Sequence, residues 1–242
     1  STLMPYTPQE AAEEALRWKE QGFSAVKMGW GGFELPQSEC VKLVEATRNA
    51  IGDDMDMMLD IGFIPSGDFN VTAASRLLLI NEIREFKPYW IEEAVYPDDY
   101  EGYKMLVEST DVRIAGGENE TTRYGFKQLI EVCKLDILQP DITRCGGLTE
   151  AKRIGAMATA HNTTVIPHAW SSGIVIAASL HFIATQSNSN LLEYCVWDTP
   201  IRKEMLKQDF KLRDGYVDVP MGPGLGIEID DEAIQKYRCD II

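Results

Sequence analysis

The chain has 242 residues, 45% hydrophobic and 25% charged, an ordinary globular composition with enough apolar residues to bury a core. A formal net charge of −15 argues against nucleic acid and against an anionic membrane surface, since both need basic patches, but leaves room for a small anionic substrate where a divalent cation reverses the local field. Five scattered cysteines (Cys40, Cys133, Cys145, Cys195 and Cys239) with no CxxC pair, no apolar run near the ~18 residues of a membrane span and no basic-then-apolar leader after Ser1 make a cytoplasmic enzyme with free thiols the default expectation.

A helix opens at Thr7-Pro8-Gln9-Glu10, with a capping residue, a proline at the first helical position and an acid in the first turn. Ala11, Ala12, Ala15, Leu16 and Trp18 continue it at helical spacing up to Gly22. A short strand at 24–28 follows and is broken by Gly29, Gly31 and Gly32, then a helix is predicted over 38–51. The pattern repeats as strand 55–60, a loop containing Pro65, Ser66 and Gly67, and helix 71–86. Strand 89–93 precedes helix 100–108, strand 112–118 precedes helix 123–132, strand 135–140 precedes helix 148–161, and strand 163–168 precedes helix 174–185. The last strand is predicted at 190–194, and a glycine-rich tail ends in a short helix over 231–236. Short apolar strands alternating with helices read as parallel strands buried on both faces, in one α/β domain. Seven such strands with a helix before the first suggest a barrel whose opening strand lies upstream of Ser1, which would leave two strand edges exposed.

Six of these strands end in a polar or ionisable residue: Asp60, Glu92, Glu118, Asp141, His168 and Glu193. They recur at intervals of roughly 30 residues or a little less, about one βα unit of a barrel, and such ends meet in one mouth where ligands bind. Three carboxylates brought together would repel one another, and a hard divalent cation such as Mg²⁺ resolves the conflict with all-oxygen ligation. His168 directly follows its strand, and Asp141, one unit earlier, is placed to hydrogen-bond one ring nitrogen and raise the basicity of the other. His161 ends a helix and His181 sits mid-helix, so both read as structural. Lys27 alternates with Ala25 inside an apolar strand, a costly place unless the ammonium faces carboxylates or an anion at the mouth.

The motifs AVKMGWG (25–31), MMLD (57–60), WIEEA (90–94), GGEN (116–119), QPDITRCGGLTEA (139–151), IPHAW (166–170), NLLEY (190–194) and PGLGIEID (223–230) occur in this order. By them the chain resembles the mandelate racemase group of the enolase superfamily. The resemblance implies a TIM-type (β/α)7β barrel over residues 1–229, with 230–242 as a tail that packs against an N-terminal α+β capping domain. Neither that cap nor the first strand is legible in this sequence. It implies Asp60, Glu92 and Glu118 as Mg²⁺ ligands, with Glu93, the second acid of its pair, outside the ligand set. It implies Asp141 and His168 as a catalytic dyad, Glu193 as the acid that hydrogen-bonds a substrate carboxylate, and Lys27 as the first lysine of a Lys-x-Lys motif. Trp30, Asn119, Arg144 and Trp170 lie near the expected mouth as candidate substrate contacts.

The family chemistry so implied is proton abstraction beside a carboxylate, with Mg²⁺ stabilising the enediolate. The sequence departs from the pattern at Gly29, which replaces the second lysine. A racemase needs a base on each face of the α-carbon, whereas dehydration can proceed with His168 alone. The expectation is therefore an acid-sugar dehydratase that gives a 2-keto-3-deoxy acid, with a 2-hydroxy-acid racemase or epimerase as the alternative. A non-catalytic barrel fragment retained for binding or assembly is the alternative of another class, and the complete ligand set argues against it. A Zn²⁺ hydrolase would call for clustered histidines, and the three here are scattered. The expected partner is a small sugar-acid anion, with no nucleic acid and no membrane, and a homo-oligomer is expected.

Overall fold

In the computed structural model of the chain, residues 1–62 and 71–239 are described. The predicted loop at Pro65, Ser66 and Gly67 lies outside them. Seven strands form one sheet in chain order: β1 Thr2–Leu3, β2 Ala25–Gly29, β3 Asp56–Asp60, β4 Trp90–Glu92, β5 Ile114–Gly116, β6 Ile137–Leu138 and β7 Thr164–Val165. Every neighbouring pair is parallel. Helices connect them: α1 Pro8–Glu20, α2 Gln37–Ile51, α3 Ala73–Ile83, α4 Tyr100–Ser109, α5 Thr122–Glu131, α6 Gly147–Ala160 and α7 Gly173–Ile183.

The strand count agrees with the sequence reading, but the membership differs at both ends. The opening strand lies within the chain, as Thr2–Leu3 paired with Met28 and Gly29. Two residues ahead of Pro5 carry no periodic signal, so sequence alone passes over them. The predicted last strand at 190–194 is not a regular strand. Its neighbourhood nevertheless joins the two edges of the sheet: the Val165 N–H donates to the Asn188 carbonyl, the Ser1 amine to the Tyr194 carbonyl and the Val196 N–H to the Ser1 carbonyl. The two expected open edges are therefore engaged.

Local sequence explains the helix boundaries. Thr7 caps α1 by accepting from the Glu10 N–H, with Pro8 in the first turn. Thr72 and Ser75 cap α3 reciprocally. Ala11, Ala15 and Trp18 form the buried face of α1. The main core fills the layer between sheet and helices, and a second cluster of Met58, Trp90, Ala115, Ile137 and Ile166 fills the inside of the sheet.

Beyond α7 come α8 Pro200–Lys203, an antiparallel hairpin of β8 Leu212–Arg213 and β9 Tyr216–Val217, and α9 Asp231–Tyr237. Asp214 and Gly215 both have positive φ at the hairpin turn, as a tight turn of this hand requires. α9 is tied back through Lys236 and Tyr237, which both hydrogen-bond Glu204. The five cysteines are free. Among the described residues no helix is long and apolar enough to cross a membrane.

Candidate active site

The strand period of two decides which side chains reach the mouth. Met58, Trp90, Ile137 and Ile166 pack inside the sheet, with Ala25 and Leu191 against them. Two residues further along the same faces stand Asp60, Glu92, Gln139 and His168, with Lys27 and Glu193 beside them. The apolar layer therefore forms the floor, and a polar layer lies directly above it. Of that layer Lys27, Glu92, Gln139, His168 and Glu193 are buried, as is Asp141.

Asp60, Glu92 and Glu118 each offer one carboxylate oxygen within 4.8 Å of the others. Each is held from outside. The Gly62 N–H donates to Asp60 Oδ1 at 3.0 Å, the Trp90 indole N–H to Glu92 Oε2 at 3.0 Å, and the Asn119 amide to Glu118 Oε1 at 3.3 Å. Burial first, and then repulsion from Glu92, pushes the Asp60 carboxyl well above the usual carboxylate range, with Lys27 opposing and Glu118 adding to the rise. Three converging carboxylate oxygens form an all-oxygen donor set whose mutual repulsion a hard divalent cation relieves, so the set fits Mg²⁺.

Lys27 and His168 face the acids from inside the mouth, and Arg144 reaches Glu118 Oε1 at 3.4 Å from the half-exposed rim. Lys27 Nζ lies 2.5 Å from Glu92 Oε1 and 2.8 Å from Glu193 Oε1. Burial works against its charge, but Glu193, Glu92 and Asp60 outweigh it and hold the ammonium well above its ordinary pKa. His168 Nε2 lies 3.3 Å from Glu118 Oε2, and its Nδ1 lies 2.8 Å from Asp141 Oδ2. Burial again opposes the charged form, yet Glu193, the Asp141 hydrogen bond and Glu118 together raise the imidazole to about 9. Asp141 is lowered despite burial, because His168 and Thr143 donate to it. Glu193 is likewise lowered against its own burial by Lys27 and then His168, and its Oε2 accepts from the Ala169 N–H at 2.8 Å.

All seven principal residues singled out in the sequence therefore form one connected cluster. The weaker candidates lie around it. Trp30, Arg144 and Trp170 line a cavity of about 200 Å³ together with Lys27, Asp60 and His168. Asn119 lines a second cavity of about 400 Å³, next to Glu118 and Arg144. His161 caps α6 through its backbone N–H, and His181 Nε2 meets the Leu225 carbonyl at 3.2 Å, both outside the cluster.

Three contributors escaped the sequence reading. Trp90 shares the Glu92 face two residues earlier, a signal that the period of two contains. Thr143 donates from both its N–H and its hydroxyl to Asp141 Oδ1, the local turn that an Asp-x-Thr run favours. Trp197 lines the cavity with its ring 5.8 Å from that of Trp170, and no pattern in the sequence marks it.

Gly29 also acquires a physical reason. A Cβ at this position would stand 2.6 Å from Asp60 Cβ and 2.9 Å from the Asp60 carbonyl oxygen, closer than real side chains approach. The backbone of β2 leaves the space of a second side chain to the carboxylate of β3.

The chain is thus a parallel α/β domain in which three clustered acids at the mouth face a buried His–Asp pair. The chain belongs to the enolase C-terminal domain-like family, whose model matches residues 10–233. It is 32% identical over 237 residues to a D-galactarolactone cycloisomerase of Agrobacterium fabrum, covering 94% of this chain and 60% of that relative. It is 30% identical over 247 residues to a D-xylonate dehydratase of Haloferax volcanii, covering 96% of this chain and 58% of the other. Among solved structures, the 3,6-anhydro-D-galactonate cycloisomerase of Zobellia galactanivorans superposes with a TM-score of 0.87 at 35% identity, over 98% of this chain and 64% of its own. The chain thus spans less than two thirds of the length of these relatives.

Proposed function

We propose that the chain carries the active site of a Mg²⁺-dependent acid-sugar dehydratase. Asp60, Glu92 and Glu118 would hold the ion, which when bound supplies Lewis-acid stabilisation of the negative charge that develops on the substrate carboxylate. His168 Nε2 takes the proton α to that carboxylate, while Asp141 fixes the Nδ1 proton and the ring orientation. The C–H electron pair moves into an enediolate, which then expels the β-hydroxyl. The proton on Nε2 leaves with that hydroxyl as water, and the enol tautomerises to the 2-keto-3-deoxy acid. Lys27 offers its ammonium to the substrate carboxylate, and Glu193 holds that ammonium in place.

The observation that carries this reading is the crowding at Gly29. Asp60 fills the space of a second base on β2, and Lys27 is engaged by Glu92 and Glu193. One base suits elimination better than two-sided proton transfer. Incubation with Mg²⁺ and a panel of aldonic and aldaric acids should release 2-keto-3-deoxy products, with activity lost on chelation and restored by Mg²⁺ but not Zn²⁺. Solvent deuterium at the α-carbon without keto product would replace this reading with an epimerase. Gly29→Ala should weaken Mg²⁺ binding about tenfold and destabilise the fold by about 1–3 kcal/mol, the usual cost of overpacking. Gly29→Lys should yield no racemase; calorimetric titration and polarimetry check the two.

A second reading is favoured by two relatives named cycloisomerases and by the tryptophans Trp30, Trp170 and Trp197 around the cavity. The same proton abstraction, followed by loss of a ring oxygen in place of hydroxide, would open a cyclic acid sugar. A 2-keto-3-deoxy product of unchanged mass, in place of one lacking water, would identify it.

A further inference from the structure

Among the described residues, Glu93 is the one buried acid beside the cluster that the chemistry above does not use. Its backbone has φ of 50°, in the left-handed region that a residue with a side chain seldom adopts. That conformation follows directly on Glu92, and Glu93 is buried with only 4% of its surface exposed.

Its surroundings are the three strand ends that bear the metal-facing acids. The Glu93 N–H donates to the Ala115 carbonyl of β5, and the Ile61 N–H donates to the Glu92 carbonyl, tying β3 to β4. Glu93 Oε1 accepts from the Gly117 N–H at 2.9 Å, one residue before Glu118. Two glycines make room for the side chain. A Cβ on Gly62 would stand 2.7 Å from Glu93 Cβ, and a Cβ on Gly116 would stand 3.0 Å from Glu93 Oε1 and 2.9 Å from the Tyr103 hydroxyl. Gly62 in turn supplies the N–H that orients Asp60. A single carboxyl group is therefore wedged behind the ends of β3, β4 and β5.

We propose that Glu93 is a positioning residue of the metal centre, locking the Gly62 and Gly117 turns in the one arrangement that makes Asp60, Glu92 and Glu118 converge. The inference rests on the metal reading above. Partners of this kind behind metal ligands commonly set affinity by 10- to 100-fold.

The test is Mg²⁺ affinity of the whole chain by calorimetric titration, with near-ultraviolet circular dichroism as the check on folding. Glu93→Leu removes the acceptor at similar size and should weaken Mg²⁺ binding at least about tenfold. Glu93→Gln keeps an oxygen for the Gly117 N–H and should bind within about threefold of the parent. Glu93→Asp withdraws the acceptor by one methylene and repeats the test if the leucine variant fails to fold. Near-parental affinity in a folded leucine or aspartate variant would overturn the positioning role alone. A parent chain that binds no Mg²⁺ would overturn the metal reading and this inference together.

Discussion

His168→Asn should yield a folded protein that still binds Mg²⁺ but exchanges or eliminates at the α-carbon on the order of 10³-fold more slowly, within the usual range for removing a general base. Asparagine can still reach towards Asp141 but has no basic nitrogen to take a proton. The ligand set does not include His168, so Mg²⁺ binding should persist, and below about pH 9 it should tighten because the parent's imidazolium opposes the ion. Unchanged turnover would remove His168 from the chemistry.

A pH signature accompanies this prediction. In chelator, His168 is raised to about 9 from 6.5 by Glu193, Asp141 and Glu118 acting against burial. A folded pKa above the unfolded one means that the bound proton stabilises the fold. That contribution is fully present below about pH 6.5 and is lost as the pH climbs through about 9. Denaturation midpoints of the parent in chelator should therefore fall across this window, and those of His168→Asn should not. Mg²⁺ neutralises Glu118 and adds positive charge nearby, so it should lower the His168 pKa and free the base form nearer neutrality. Imidazole resonances followed with and without Mg²⁺ test this, with His161 and His181 as internal references.

Lys27→Met should be the most destabilising single change in the mouth. Lys27 is 6% exposed, and its removal leaves Glu92 and Glu193 buried without their shared cation. Breaking a buried pair in this way costs about 3–5 kcal/mol, which in a domain of this size lowers the melting temperature by roughly 10 °C. Saturating Mg²⁺ should recover part of the loss, because the ion replaces the ammonium beside Glu92 and the variant, with a competing cation removed, binds it more tightly than the parent. Melting curves in chelator and in Mg²⁺ decide it. Equal destabilisation in both would show that Glu193, not Glu92, is the partner that matters.

Much of the site was readable because its residues fall at one position of a repeating unit. Asp60 and Glu92 end their strands, Glu118, Asp141 and His168 follow theirs within three residues, and Glu193 lies at the matching place in the irregular segment 190–194, so parallel alternation brings all six together whatever the loops do. The contacts between them were not readable in the same way. That Lys27 bridges Glu92 and Glu193 depends on two strands meeting across the interior, and a one-dimensional pattern carries no such distance. The ends of the sheet are hard to place from sequence for a related reason. Thr2–Leu3 is too short for periodicity, while 190–194 has a strand-like pattern but makes only scattered hydrogen bonds. Glu93 reads as the spare acid of a pair, and only its positive φ and the two close glycines give it a position behind the site.

The contact between Gly29 and Asp60 also governs how this barrel can be re-engineered. Randomising position 29 to install a second base would return mostly misfolded or metal-deficient clones, since every side chain collides at its first carbon. Randomising position 60 as well would open the space but delete a metal-facing carboxylate. A library aimed at two-sided proton transfer should therefore leave both codons untouched. It should recruit the new base from the rim, where Trp30 and Trp170 border the same cavity and have space to be exchanged.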